Sequence, residues 1–199
     1  MRVPITNIGA VSALRVPRLR LCRGRGTCIF RIFVVCFIYI VIERAACMER
    51  IASFCINHDT LVPGMYLSRV DGDVNTYDVR FVRPNTPPYL PTDAMHTIEH
   101  LVATYVRNSA HKDGIIYFGP MGCRTGFYFL TRGISHTDAI RLMADAIAFT
   151  ATYTGDIPGA SAVECGNWQE HDLAGARAWA AAMVPVLEHY TEAQLTYPE

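Results

Sequence analysis

The sequence predicts an α+β domain, a two-layer fold in which helices cover one face of a mainly antiparallel sheet. Three observations predict it. Short stretches that alternate apolar and polar residues come in neighbouring pairs, as hairpins require. Longer stretches with apolar residues at helical spacing lie between and after those pairs. No internal repeat or low-complexity segment interrupts them. With 199 residues, 51% of them apolar, the chain has enough material for one real core.

The first 47 residues stand apart. They hold eight of the 18 basic residues, all Arg, against one acid, Glu43, a balance of +7. Residues 28–42 read CIFRIFVVCFIYIVI, an apolar run of 15 broken by Arg31. A membrane-spanning helix needs about 20 apolar residues, so the run is short for a span. A signal peptide has such a central region, with Ala45-Ala46-Cys47 as the nearest cleavage candidate. The expectation is that Met48 starts the protein and that residues 1–47 lie outside the fold, leaving residues 48–199 as a single catalytic domain. That body holds ten basic and 17 acidic residues, a balance of −7. Such a surface excludes general attraction for nucleic acid, and no membrane partner is expected. Its three cysteines, Cys55, Cys123 and Cys165, are too dispersed for a disulfide framework and suit a reducing, cytoplasmic setting.

Along the body, residues 51–56 and 65–70 read as short strands. Residues 74–82 (VNTYDVRFV) alternate in the strand period between Gly72 and Pro84. Four prolines make 84–91 a loop. Thr92 or Asp93 can cap a helix to about residue 109, with Ile98, Leu101, Val102, Tyr105 and Val106 on one face. Residues 114–119 and 125–130 read as two more strands. Thr137 or Asp138 opens a second helix to about residue 153, followed by a Gly/Pro loop at 155–159. Asp172 starts an Ala-rich final helix that Pro185 ends or kinks.

The sharpest local signal is His96-Thr97-Ile98-Glu99-His100. Residues four apart lie one turn apart on one helical face, so His96 and His100 can converge on one ion, with Glu99 in reach of a group bound to it. This H-x-x-E-H spacing inverts the common zinc-protease pattern. A catalytic metal needs a third protein ligand and an open position. Downstream candidates are Cys123, Cys165, His111, His136, His171 and several acids; a thiolate suits a borderline-soft divalent ion, so either cysteine serves.

Five segments in register then carry a resemblance. The His96–His100 run, Pro120-Met121-Gly122-Cys123-Arg124-Thr125-Gly126-Phe127-Tyr128, Glu164-Cys165-Gly166 with His171-Asp172-Leu173, Tyr77-Asp78-Val79-Arg80-Phe81, and Ser53-Phe54 with Asn57-His58 are together similar to the S-ribosylhomocysteine lyase (LuxS) family. The similarity spans roughly residues 49–190, and residues 1–47 have no counterpart. It implies the fold that this family shares with the inverted-motif metallopeptidases. It implies His96, His100 and Cys165 as metal ligands, Cys123 as an unligated acid–base thiol and Glu99 as the second acid–base group. Ser53, His58 and Arg80 match positions around the bound sugar, and Arg107 a position for the substrate's amino-acid end. The family uses one divalent metal per subunit, ferrous iron by preference, with zinc or cobalt able to replace it. It forms homodimers with active sites at the subunit interface. The implied reaction splits S-ribosylhomocysteine into homocysteine and 4,5-dihydroxy-2,3-pentanedione, the precursor of the quorum-sensing autoinducer.

That reaction wants these residue types. β-Elimination of the thioether at C5 needs a ketone at C3, so the carbonyl must migrate from C1. Each migration moves a carbon-bound proton, which calls for a Lewis acid and two separately placed bases. Cys123 suits the early carbons and Glu99 the later ones. A thiol base must be partly ionised, and Arg124 and the metal are the cations expected to favour that. Cys55 is expected in the core, His111 and His136 in solvent-facing loops, and His171 as a helix cap or a support to the site. One departure from the family pattern is Tyr117, where an acid is usual three residues before Pro120; contacts to the substrate's amino group depend on it. The rival readings are an H-x-x-E-H zinc peptidase, disfavoured by the short body and its cysteines, and a non-catalytic zinc-stabilised domain, in which four protein ligands close the site.

Overall fold

The computed structural model describes residues 50–198, which form one compact unit. The Arg-rich segment and the expected start at Met48 lie outside the described residues. The sheet has four strands in the order β1-β2-β4-β3: β1 (Gly64–Asp71), β2 (Val74–Arg80), β3 (Ile115–Pro120) and β4 (Gly126–Arg132). Every pairing is antiparallel, as expected. Helix α1 (Thr92–Arg107) connects β2 to β3, and α2 (His136–Thr152) and α3 (Leu173–Leu187) follow β4. No helix among the described residues is long and apolar enough to cross a membrane.

Alternation sorts the two faces of β2. Tyr77 and Val79 point to the helices and are 0% exposed. They join Phe127 and Phe129 of β4 and Ile98, Val102, Met143, Ile147 and Met183 of the helices in one core. Burying each such side chain contributes roughly 1.5–3 kcal/mol. Thr76, Asp78 and Arg80 point to the opposite face, yet they too are buried. The helices therefore cover one face of the sheet, as predicted.

Several local expectations need correction. Residues 51–56 form no strand; Ala52–Phe54 is a 3₁₀ turn, with Ile51 and Phe54 exposed. Among the described residues no neighbouring strand offers backbone partners there, and apolar content alone does not make a ladder. β2 ends at Arg80, because the amides of Phe81 and Val82 both turn to the Thr125 carbonyl, at 2.9 and 3.2 Å. Ser135, not Thr137 or Asp138, caps α2, its side chain accepting from the Asp138 amide. Asp172 does cap α3. That helix runs two residues beyond Pro185, since the one bond lost falls in its last turn. His189, at φ 60, then reverses the chain in the left-handed region.

Candidate metal centre and active site

Helix α1 presents two faces. Ile98, Leu101, Val102 and Val106 are buried against the sheet, which leaves His96, Glu99 and His100 half-buried on the other side. The two imidazoles meet edge to face with centroids 4.6 Å apart. Backbone carbonyls orient both. His96 Nδ1 donates to the Glu170 carbonyl at 2.8 Å, and His100 Nδ1 to the Pro158 carbonyl at 2.7 Å. A carbonyl only accepts, so each Nδ1 carries a proton, and in the neutral ring Nε2 is left with the lone pair that a metal ion would take. Gly159 follows Pro158 at φ +71, a conformation that suits glycine.

The loop after α2 brings in Cys165. Its Sγ lies 3.3 Å from His96 Nε2 and accepts from the Asn167 amide at 3.4 Å. His171, expected only as a cap or support, enters the same cluster. Its ring stacks on His96 at 4.1 Å and meets His100 at 4.8 Å. One donor atom each from His96, His100, Cys165 and His171 lies within 4.8 Å of every other. Burial, with the neighbouring His96 and His100 charges, pushes the His171 imidazole below its usual range. His171 Nε2 is buried with no hydrogen-bond partner among the described residues. Lone-pair nitrogens, a sulfur and an orphaned buried nitrogen around one point make a donor set that fits a divalent ion.

Glu99 and His96 line a cleft of about 440 Å³ whose far wall is Pro120, Met121, Gly122 and Arg124, the loop between β3 and β4. Burial pushes the Glu99 carboxyl up, against the lowering effect of His96 and His100. Cys123 sits within that loop. The loop is tied by the Arg124 amide to the Met121 carbonyl and by the Met121 amide to the Gly126 carbonyl, both at 2.9 Å. Arg124 adopts φ 58, a strained choice for a residue with a side chain. The Cys123 thiol is exposed and free, 2.9 Å from Thr125 Oγ1.

The cation beside this thiol is Arg80, not Arg124. Arg80 Nη1 lies 3.9 Å from Cys123 Sγ and also donates to Thr125 Oγ1, while Arg124 lies over the Tyr89 ring. Arg80 is 3% exposed and pairs with Asp78 at 2.5 Å. Residues 78 and 80 share a strand face, so the guanidinium and the carboxylate meet and are buried as a pair. Tyr197, from the C-terminal tail, donates to Asp78 at 3.1 Å. Burial pushes the Asp78 carboxyl up, and Arg80 partly counters it.

The remaining candidates fall elsewhere. Ser53 lines a groove on the outer sheet face with Tyr117 and Tyr128. His58 is half-buried, its Nδ1 donating to the Ile56 carbonyl at 2.9 Å. Arg107, at the end of α1, donates to the carbonyls of Ile115 and Ile116 and lies outside the His96–Glu99 cleft. Burial and the Glu99 charge push the Tyr117 phenol up. His136 is no loop residue: it opens α2 and meets the Tyr77 hydroxyl at 2.7 Å. His111 is half-buried before a 3₁₀ turn. Cys55 is exposed, against the expectation of a core thiol.

Two histidines one helical turn apart, joined by a distant thiol beside a carboxylate-lined cleft, give this α+β protein a donor cluster that can hold a metal ion. The sequence profile of one such family matches residues 51–193. The chain belongs to the S-ribosylhomocysteinase (LuxS) family. Relatives named S-ribosylhomocysteine lyase include one from Clostridium acetobutylicum, 44% identical over 158 residues, which covers 76% of this chain and 100% of the relative. One from Clostridium beijerinckii is 47% identical over 158 residues, covering 76% and 99%. One from Desulfotalea psychrophila is 48% identical over 160 residues, covering 76% and 99%.

Proposed function

We propose that this chain is an S-ribosylhomocysteine lyase that releases homocysteine and 4,5-dihydroxy-2,3-pentanedione by carbonyl migration and β-elimination. Family membership and relatives of that name support it. The observation that carries the chemistry is the cleft where His96 and Glu99 face the loop bearing Cys123. His96, His100 and Cys165 would hold one divalent ion, ferrous by preference, with zinc or cobalt as substitutes. Such an ion supplies Lewis-acid polarisation of the sugar's oxygens.

The protein's own groups then move protons. Cys123 takes and returns the proton during migration from C1 toward C2, with the Arg80 charge beside its sulfur. Glu99 handles the later carbons, including the C4 proton whose loss expels the thiolate of homocysteine. Its raised titration suits a group that must both give and take a proton. Ser53, His58 and Arg80 bind the sugar, and Arg107 the amino-acid end. Tyr117 stands where the family usually has an acid, so contacts to the substrate's amino group differ here.

The active enzyme is a homodimer with its sites at the interface. Exposed Ile51, Phe54, Ile116 and Tyr117 supply apolar surface for such a contact. Ser53 lies on the outer sheet face rather than in the Glu99 cleft, as expected if subunits share site residues. Residues 48–199 are the catalytic domain, residues 1–47 lie outside it, and the enzyme works in the reducing cytoplasm. The fold is the one shared with inverted-motif peptidases, but a sulfur in place of a third-ligand carboxylate disfavours peptide hydrolysis.

The test is anaerobic incubation of the full chain with S-ribosylhomocysteine, titrating released thiol. Stoichiometric release is expected. Metal-loaded protein that releases no thiol, yet cleaves a peptide library, would overturn the proposal in favour of a hydrolase.

A further inference from the structure

The buried polar chain behind Cys123 ends in the C-terminal tail. After His189 reverses the chain, three contacts tie that tail down. The Tyr190 hydroxyl accepts from the Met65 amide at 3.0 Å and donates to the Met65 carbonyl at 2.8 Å. Glu192 Oε1 accepts from the Thr137 amide at 3.0 Å. Leu195 is buried in the core. The tail so anchored lays Tyr197 on the outer sheet face. Tyr66 stands opposite Asp78 in the β1–β2 register, so the two share that face. The Tyr197 ring stacks on the Tyr66 ring, with centroids 4.9 Å apart and planes 16° apart. The family profile ends at residue 193, so the match assigns Tyr197 no role.

The Tyr197 hydroxyl donates to Asp78 Oδ2, the same oxygen that Arg80 Nη2 pairs with at 2.5 Å. Burial holds the phenol far above its usual range, so it stays a donor. Asp78 Oδ1 is buried with no partner among the described residues, so no second donor stands in for the phenol. We propose that Tyr197 is a positioning residue of the lyase: it covers the Asp78–Arg80 pair from the tail, keeps water from it, and so fixes the Arg80 guanidinium beside the Cys123 sulfur. The inference rests on the lyase reading above, in which Cys123 moves protons. The groups facing this chain are Asp78 and Arg80 on β2, Tyr66 on β1, Tyr128 on β4 and His58 from the loop before β1. Of these, Arg80 alone is in hydrogen-bond reach of the sulfur. A positive charge a few ångströms from a thiol favours the thiolate, and more strongly where water is excluded.

The test uses the full chain loaded with metal and needs no substrate. Alkylation by iodoacetamide is followed peptide by peptide, with exposed Cys55 as the internal reference for Cys123. At about pH 7, Tyr197→Ala should lower the rate at Cys123 relative to Cys55 by about 10-fold, the low end of what one adjacent charge does to an ionisation. At about pH 10, where a thiol is ionised whatever its neighbours, variant and wild type should agree. Tyr197→Phe keeps the ring and loses only the donor, so at the lower pH it should fall between the two. An unchanged ratio in Tyr197→Ala, or a deficit that persists at the higher pH, would overturn the proposal. If Tyr197→Ala unfolds, seen as alkylation of Cys165, Tyr197→Phe decides: a lowered ratio supports the proposal and a wild-type ratio overturns it. Thiol release from S-ribosylhomocysteine should fall in parallel. A wild type that releases none would sink the lyase reading, while the alkylation ratio still decides whether Tyr197 holds Arg80 to the sulfur.

Discussion

The two halves of the site are organised by different means. On the metal side, His96 and His100 are aimed by the backbone carbonyls of Glu170 and Pro158. On the thiol side, Cys123 is placed by side chains: Thr125 Oγ1 at 2.9 Å and Arg80, itself held by Asp78. The first half is a rigid cage whose supports persist whatever side chain stands at the supporting position. The second is a buried polar chain in which each member leaves another unpaired when removed. Under the proposed function the first half would hold an ion, which demands fixed donor geometry, and the second would move protons, which calls for an exposed thiol with a permanent positive charge beside it.

That contrast is open to mutation, and the largest effects should come from the donors themselves. His96→Ala, His100→Ala and Cys165→Ala should each lose the ion during purification, read as metal per chain by elemental analysis. An intact complement in any of them would break the cage description. Next, Cys123→Ala and Glu99→Ala should keep their metal and lose thiol release by about 10²–10⁴-fold, the range for removed general acid–base groups.

The polar chain behind Cys123 predicts a stability effect instead. Asp78→Ala strands the buried Arg80 charge, which costs about 3–5 kcal/mol and lowers Tm on the order of 10 °C by calorimetry. An unchanged Tm would mean that the pair is not buried as described. The smallest effect belongs to Glu170→Gln. Its carbonyl, which holds His96, survives the change, and its side chain is exposed. Metal retention should stay within about threefold and stability within roughly 0.5 kcal/mol. A large loss of metal there would show that the side chain, not the backbone, organises the cage.

The same division explains what was legible in the sequence. Helix α1 was readable because its buried stripe and its His pair obey one period, and β2 because it alternates cleanly. The pairing of Asp78 with Arg80 was within reach, since residues two apart share a strand face, but the burial of that face depends on what packs over it, Tyr197 of the C-terminal tail included. The 51–56 segment was misread because its apolar residues have no neighbouring strand among the described residues, a tertiary fact that local pattern does not carry. The position of His171 beside the cluster was not legible for a related reason: it depends on a loop returning to α1, and Thr97, 3.2 Å from its Nδ1, sits 74 positions away. Backbone acceptors such as Pro158 leave no residue-type signature at all. Family motifs supplied Cys165 as the partner of the histidines where spacing alone left it level with Cys123.

The distinct duties of the two sulfurs are most directly tested by metal analysis of Cys123→Ala and Cys165→Ala, prepared side by side under anaerobic conditions. The structure predicts a full complement of metal in the first and little in the second, since only Cys165 lies against an imidazole nitrogen, 3.3 Å from His96 Nε2. Metal missing from Cys123→Ala and present in Cys165→Ala would contradict the account.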